Sequence, residues 1–363
     1  MRGFFRAHRG FALWLAGLAA FYAAYLALRC SPAATNWLCS RVILPLAQWL
    51  GRLCGCTSVS VAEVLILTAA FGAVLYLAWQ VRCLVCRPRR GRRLCRMGMT
   101  LLCTGLTIYA GYCLMWGSFY GADGFQEKSG LTARGGTVAE LTALTERFAR
   151  QVSGLADRVP RDEDGCFAVP RQEIFDASLA AYDGVVDIFP CLTKPQTAPK
   201  AFVSSRVLSS MGFSGFYFPF TGEANLNDES TAAYLPTNIC HELAHQQGIA
   251  SEQECNFVAV VAATTADSDI YRYSGSLVGY IYLANALYRV DRAAWQTIRD
   301  SLPDTVQADI RANNAYWAQF DGPVKTVSNT VYDGFLKSHG LADGILNYGT
   351  AADLLLAYYC GEG

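Results

Sequence analysis

Acidic residues are nearly missing from the first third of this chain: before Asp123 the only one is Glu63, while arginines are plentiful. The formal net charge of zero therefore hides a basic, apolar start and a more acidic remainder. Charge of either sign is scarce, at 17% of residues against 52% apolar, and that balance excludes an ordinary soluble enzyme. No internal repeat or low-complexity tract is present, so a repeat array is excluded as well. Histidine is scarcer still. The chain holds four, and two of them stand four positions apart in "HELAH".

The apolar residues gather into three runs. Phe11 to Leu28 is uncharged and reaches the roughly 18 to 20 residues needed to cross about 30 Å of hydrocarbon as a helix. Val61 to Val81 is interrupted only by Glu63 near its end, and Met97 to about Trp116 forms the third run. Arg82, Arg87, Arg89, Arg90, Arg92, Arg93 and Arg96 fall between the second and third runs, and Arg2, Arg6 and Arg9 precede the first. Positive-inside bias places both groups on the cytoplasmic face, so the chain after about Tyr120 is expected outside. A cleaved signal peptide is the rival reading of the first run, but two more spans follow it, which favours an anchor. Charge inside the spans is nearly absent and no pair of broken helices occurs, which argues against a transporter or channel. Between the first two spans, "NWLCSRVILPLAQWLGRL" has apolar residues at helical spacing with Arg41 and Arg52 on the other side. It is read either as a helix lying flat on the bilayer or as one packed on the outer domain.

The fourteen cysteines form no metal motif. Cys83 and Cys86 make one CxxC, but a zinc ribbon needs a second pair. Cysteines on the outer side can form disulfides, and sequence alone does not choose the pairs.

These features divide the chain into a membrane region (1–117, spans about 11–28, 61–81 and 97–116, basic cytoplasmic loop 82–96), a glycine-rich linker (118–136) and an extracytoplasmic domain (137–363). Thr137 to about Val159 and Arg171 to Phe189 show helical periodicity. The stretch from Lys200 to Asn227, rich in Phe, Ser and Gly, reads as short strands with turns, expected to make a small antiparallel sheet. The remaining segments favour helices, with Leu277 to Leu287 too short and too polar for a fourth span. The expected fold class is α+β, mainly helical.

His241, Glu242 and His245 form HExxH. On a helix, residues four apart share a face, so both imidazoles reach one ion while Glu242 leans over the open coordination site. Pro236 supplies a helix start, and Gly248 a stop. Zinc requires a third ligand, and Glu252 and Glu254 are the nearest candidates. Ser251 with Glu254 forms a capping box, which gives Glu254 a structural role and favours Glu252 as the ligand. The alternative HExxHxxGxxH pattern fails because Ser251 stands where its third histidine would be.

"HELAH" followed by "EQECN" resembles the glutamate-ligand zincins, such as thermolysin-like and CAAX-type membrane proteases, whose second helix bears ExxxD. The wider layout, with three spans, "GFYFPFTGEANLN", "HELAHQQG", "EQECNF" and "YRYSG", resembles the bacterial membrane family called domain of unknown function 3810 over nearly the whole chain. The resemblance implies that His241, His245 and Glu252 hold Zn2+, and that Glu242 takes a proton from water and passes it to the leaving amine. Asn256 stands where such zincins often carry an aspartate that orients a ligand histidine, and an amide adds no negative charge there. A donor for the developing oxyanion is sought among Tyr271, Tyr273, His339 and Tyr348, with Tyr273 preferred. The strand from Gly215 to Phe220 can offer its edge to an extended peptide.

The function expected is therefore that of a membrane-anchored zinc-dependent peptidase in the bacterial cytoplasmic membrane, multi-pass, with its C-terminal domain outside. The alternative is a non-catalytic zincin-like module that binds or senses in the cell envelope. The expected partners are the lipid bilayer and a peptide or protein substrate, not a nucleic acid.

Overall fold

The computed structural model describes residues 8–86, 90–338 and 348–361. The expected site candidate His339 and the arginines at 2, 6, 87 and 89 lie outside these residues, as does the side chain of Tyr348. Helices α1 (Arg9–Arg29), α2 (Leu44–Cys54), α3 (Val61–Cys86) and α4 (Arg90–Met115) come first. Of these α1, α3 and α4 are long and apolar enough to cross a membrane, which makes this a membrane protein by the length and composition of its helices. At about 1.5 Å per residue α3 and α4 extend roughly 39 Å, more than the hydrocarbon layer requires. Both helices run past their apolar stretches into the arginine-rich connection, much of which is therefore helix where a loop was expected. α1 and α4 are tied side by side by Trp14 Nε1 donating to Thr107 Oγ1 (2.9 Å) and the Tyr22 hydroxyl donating to the Leu106 carbonyl (2.7 Å).

The segment between α1 and α3 is helical from Pro32, with a π-helical stretch at Cys39–Ile43 leading into α2. Pro45 has no N–H for the carbonyl four residues back, and the widened turns occur just before it. α2 buries its small residues Ala47 and Gly51. A Cβ on Gly51 would lie 2.9 Å from the Gly222 carbonyl oxygen, so backbone meets backbone here. Trp37, Trp49 and Leu53 on the other face are more than half exposed. The two readings of this segment are thus both visible in one element, packed on the domain by one face and apolar outward on the other.

The 118–136 segment, read from its glycines as a linker, is folded onto the domain through a short helix at Phe125–Ser129 with Phe125 buried. Helix α5 (Val138–Leu155) starts at a capping box in which Thr137 and Glu140 satisfy each other's backbone N–H groups (3.2 and 2.7 Å). Arg171 to Phe189 does not form one helix. It breaks into short pieces at 171–176 and 183–188, and within the second Gly184 lies so close to Thr265 that a Cβ would be 2.5 Å from its carbonyl oxygen.

Strand β1 (Lys200–Phe202), helix α6 (Ser205–Met211), β2 (Gly215–Phe218) and β3 (Glu223–Asn227) follow. The sheet order is β1-β3-β2, with β3 parallel to β1 and antiparallel to β2. The all-antiparallel sheet expected from the sequence is corrected to a mixed one, since α6 carries the chain back across so that β1 and β3 run the same way. Then come α7 (Leu235–Gln246), α8 (Glu252–Thr265), α9 (Asp269–Val290), α10 (Pro323–Ser338) and α11 (Tyr348–Cys360), with two further helices at 292–300 and 304–318 between α9 and α10. α8 is the centre of the core: Phe257 and the run from Val258 to Ala263 are buried on every side among α7, α9, α11 and the short helix at 183–188. α9 contains the apolar Leu277–Leu287 run and buries it, as its polar interruptions foretold.

A buried polar cluster joins the sheet to the start of α3. Glu223 accepts from the Val61 and Ala62 N–H groups (3.1 and 2.8 Å) and pairs with Lys200 Nζ (2.6 Å), which also donates to the Cys54 and Val59 carbonyls. Glu63 accepts from the Val203 and Ser204 N–H groups (both 2.8 Å). The one acid of the basic first third therefore fastens α3 to the domain. Among the described residues no disulfide links any of the fourteen cysteines, and the Cys83–Cys86 pair joins no cluster of potential metal ligands.

Candidate functional site

His241 and His245 project from one face of α7, with ring centroids 4.8 Å apart and planes at 82°. α7 stops at Gln246, and two residues on Gly248, whose φ of +81° suits glycine, turns the chain back toward α8. The turn delivers Glu252, the first residue of α8, to the histidines: its Oε2 lies 3.2 Å from His241 Nε2 and its Oε1 3.6 Å from His245 Nε2. Ligand atoms of the three residues lie within 4.8 Å of one another, and these three can hold a metal ion. Burial would raise the Glu252 carboxyl, but the His245 and His241 imidazoles hold it well below the usual carboxylate range.

The same turn fixes the far side of His245. Its Nδ1 lies 2.8 Å from the Ile249 carbonyl oxygen, an acceptor, so Nδ1 donates there and Nε2 is the nitrogen that faces the site. Trp116, just beyond α4, packs edge-on against the His245 ring at 5.6 Å, and Tyr217 of β2 packs on that tryptophan at 5.0 Å. Asn256 lines the same cavity, and no hydrogen bond joins it to either histidine among the described residues.

Glu254 has a different task from its rival Glu252. The Ser251 hydroxyl accepts its N–H (3.4 Å), as the sequence foretold for a cap, but its carboxylate does not return to Ser251. It accepts instead from the Phe125 and Gln126 N–H groups (2.8 and 3.2 Å), holding the 118–136 segment in place.

Glu242 points from α7 toward the start of β2. A Cβ on Gly215 would lie 2.7 Å from its Oε1, so only glycine leaves room for the carboxylate at this point of the strand. Its Oε2 is buried with no hydrogen-bond partner among the described residues, and burial pushes the carboxyl up to about 7 against the pull of the two histidines. A carboxyl in that state can exchange a proton near neutral pH.

The four residues open onto a cavity of about 680 Å³ walled by Trp116, Tyr120, Met211, Phe216, Tyr217 and Tyr332, among others. β2, one of the two edge strands of the sheet, forms one side of it. Tyr273, the preferred oxyanion donor, is not brought here. Its hydroxyl donates to the buried Asp309, its ring stacks on Phe167 and lies under Arg161, and it is fully enclosed. Tyr271 is likewise committed, donating to the Ile174 carbonyl (2.8 Å). The hydroxyl that does reach the site is that of Tyr332 on α10, which donates to Glu252 Oε1. Sequence reasoning missed it because the contact spans eighty residues and "NTVYDGF" carries no motif of its own.

No curated protein and no solved structure matches the chain. A family model matches residues 40–356, taking in two of the three long apolar helices and the whole candidate site, and the chain belongs to that family, described as protein of unknown function (DUF3810).

Proposed function

We propose that this protein is a membrane-anchored zinc-dependent peptidase, acting on peptide or protein substrates at the outer face of the cytoplasmic membrane. The observation that carries the reading is the buried, unpartnered Oε2 of Glu242 beside three converging ligand atoms. A structural metal site has no use for such a carboxylate and is closed by four protein ligands. The Glu252 carboxylate lies 3.2 and 3.6 Å from the two histidine nitrogens, and the ligand atoms of all three residues lie within 4.8 Å of one another, close enough to converge on one ion. His241, His245 and Glu252 would hold the ion in a zincin-like arrangement. When bound, zinc supplies the Lewis acidity that makes a water nucleophilic at neutral pH and polarises the scissile carbonyl.

The chain's own groups do the rest. Glu242 takes the proton of the attacking water at its free Oε2 and returns it to the leaving amine. Tyr332 orients Glu252 by donating to it, and the Ile249 carbonyl orients His245. The free edge of β2 receives an extended substrate backbone, with Gly215 beside Glu242 letting it come close. The arginines between α3 and α4 support an orientation in which α4 exits outward and carries the domain with it.

Metal analysis of the purified full chain beside Glu252→Ala tests the site. One zinc per chain in the wild type, lost in the variant, is the expected result; a wild type without zinc sinks the reading. Glu242→Gln separates catalysis from binding. It should keep its zinc and lose roughly 10²- to 10⁴-fold in peptide hydrolysis. The second reading, a module that holds metal and binds envelope partners without cutting them, is favoured by Asn256, which brings no carboxylate to the histidines. Under it, Glu242→Gln leaves the biological phenotype intact.

A further inference from the structure

The wall of the catalytic cavity is not made by the C-terminal domain alone. Ile66 of α3 and Tyr112 of α4 line it, together with Trp116 just past the end of α4. Ile66 is five residues into α3 and Tyr112 three residues from the end of α4, so these positions lie about 5–8 Å inside the helix ends. The depth is that of the interfacial belt of a bilayer, where tyrosine and tryptophan are enriched; Tyr109 of α4, 43% exposed, stands there outward, while Tyr112 and Trp116 turn inward to the cavity.

Opposite the helices stands a ladder of phenylalanines. Phe202, Phe216, Phe218 and Phe220 follow one another with ring centroids 5.3, 6.3 and 5.4 Å apart. The first two line the cavity, and the last lies against Gly111 of α4, 3.1 Å from where its Cβ would be. The lip continues apolar into α6, where Val207 lines the cavity and is 55% exposed and neighbouring Val203 is 84% exposed. A soluble substrate gives no reason for exposed valines and a partly exposed phenylalanine row at bilayer depth. A cavity of about 680 Å³ is also too small to take a helix about 10 Å across together with its side chains, whereas an extended chain fits.

From these observations we infer that the cavity opens sideways into the bilayer, and that its substrate is a membrane-anchored polypeptide cut in the extended stretch beside its apolar anchor. The inference rests on the peptidase reading for the cutting and on the cavity wall alone for the route of entry. In hydrolysis the amide C–N bond breaks, water gives its hydroxyl to the carbonyl carbon, and its proton goes by way of Glu242 to the amine. The anchor then stays in the leaflet with one product.

Two measurements on the full chain in nanodiscs test it separately. The first uses a phospholipid with a diazirine on its acyl chain, and mapping of the labelled residues needs neither metal nor activity. Labels at Val207, Phe216 and Phe218 are expected; labels confined to the outward surfaces of α1, α3 and α4 overturn the inference. The second compares a Leu-Phe hydroxamate with its palmitoylated form, the hydroxamate being a sequence-independent zinc ligand. The acyl chain should improve apparent affinity roughly tenfold or more in the wild type. That gain, taken as the ratio of the two affinities measured on the same variant, should be lost in Val207→Arg, a lip residue outside the spans, and in Ile66→Asn, whatever either substitution does to the untailed compound. A gain that survives in both variants reflects partition into the lipid alone and overturns the inference. If neither compound binds and the chain is free of zinc, the peptidase reading falls, and the lipid labelling still decides the route.

Discussion

Tyr332 and Gly215 act on the proposed chemistry without touching the metal. The Tyr332 hydroxyl holds one oxygen of Glu252, so Tyr332→Phe frees the carboxylate to turn while leaving all three ligands in place. Loss of such an outer partner costs about 10- to 100-fold in metal affinity or activity, and a chelator competition on the full chain measures it. Gly215→Ala makes the opposite separation. Its Cβ would meet Glu242 Oε1 at 2.7 Å and the Asn225 carbonyl oxygen at 2.9 Å, and the second contact is with backbone that cannot swing aside. The ligands sit on α7 and α8, not on β2, so zinc content should hold while turnover falls; equal loss of both would show that β2 supports the metal after all. The residues of the site divide by legibility along the same line. His241, Glu242, His245 and Glu252 are within twelve positions, where helix periodicity and a glycine stop are enough to place them. Tyr332 and Trp116 reach the site through tertiary packing, and Tyr273 was misplaced because nearness in sequence to the motif says nothing about where a buried hydroxyl finds its acceptor, here Asp309.

The helices were legible as elements because their apolar residues recur at helical spacing, and caps such as Thr137 with Glu140 mark their starts. The sheet was legible only as strands. Its mixed order depends on β1 pairing with a strand more than twenty residues away, which no local pattern encodes. What lets the helices pack is a pair of glycines on α9. Gly275 crosses α8 so closely that a Cβ would be 2.7 Å from that of Ala263 and 2.9 Å from the Thr264 nitrogen. At Gly279 a Cβ would be 2.4 Å from the Phe148 ring of α5. Gly275→Ala gains a little helix propensity but must push two buried helices apart. Overpacking of that kind costs about 1–3 kcal/mol, so the variant should melt several degrees lower. A Tm equal to or above the wild type would mean that α9 shifts freely along α8, and that the crossing is looser than its geometry.

At the scale of the whole molecule, the division into a membrane region and a soluble domain follows hydropathy and misses the joint. A fragment of residues 118–363 keeps every candidate ligand and Glu242, yet it discards atoms on which the domain depends. Lys200 loses the Cys54 and Val59 carbonyls, and Glu223 loses the Val61 and Ala62 N–H groups. Their ion pair, 6% and 1% exposed in the full chain, would stand open to water at the start of β3. Asn225 loses Ser60, Gly222 loses the close cover of α2, and His245 loses Trp116 from its flank. Each buried polar group deprived of its partner costs about 1–3 kcal/mol, and several together approach the roughly 5–15 kcal/mol by which a domain is stable. The fragment is therefore expected to aggregate or to be cut by protease at concentrations that leave the full chain in detergent intact. It should also bind zinc far more weakly, because the wall that keeps the His245 ring upright has gone. Limited proteolysis and metal content, measured on both forms side by side, check this. A fragment that is protease-resistant and zinc-loaded would show that the spans only tether the domain, and that the buried cluster around Glu223 tolerates water in place of the helix start it now holds.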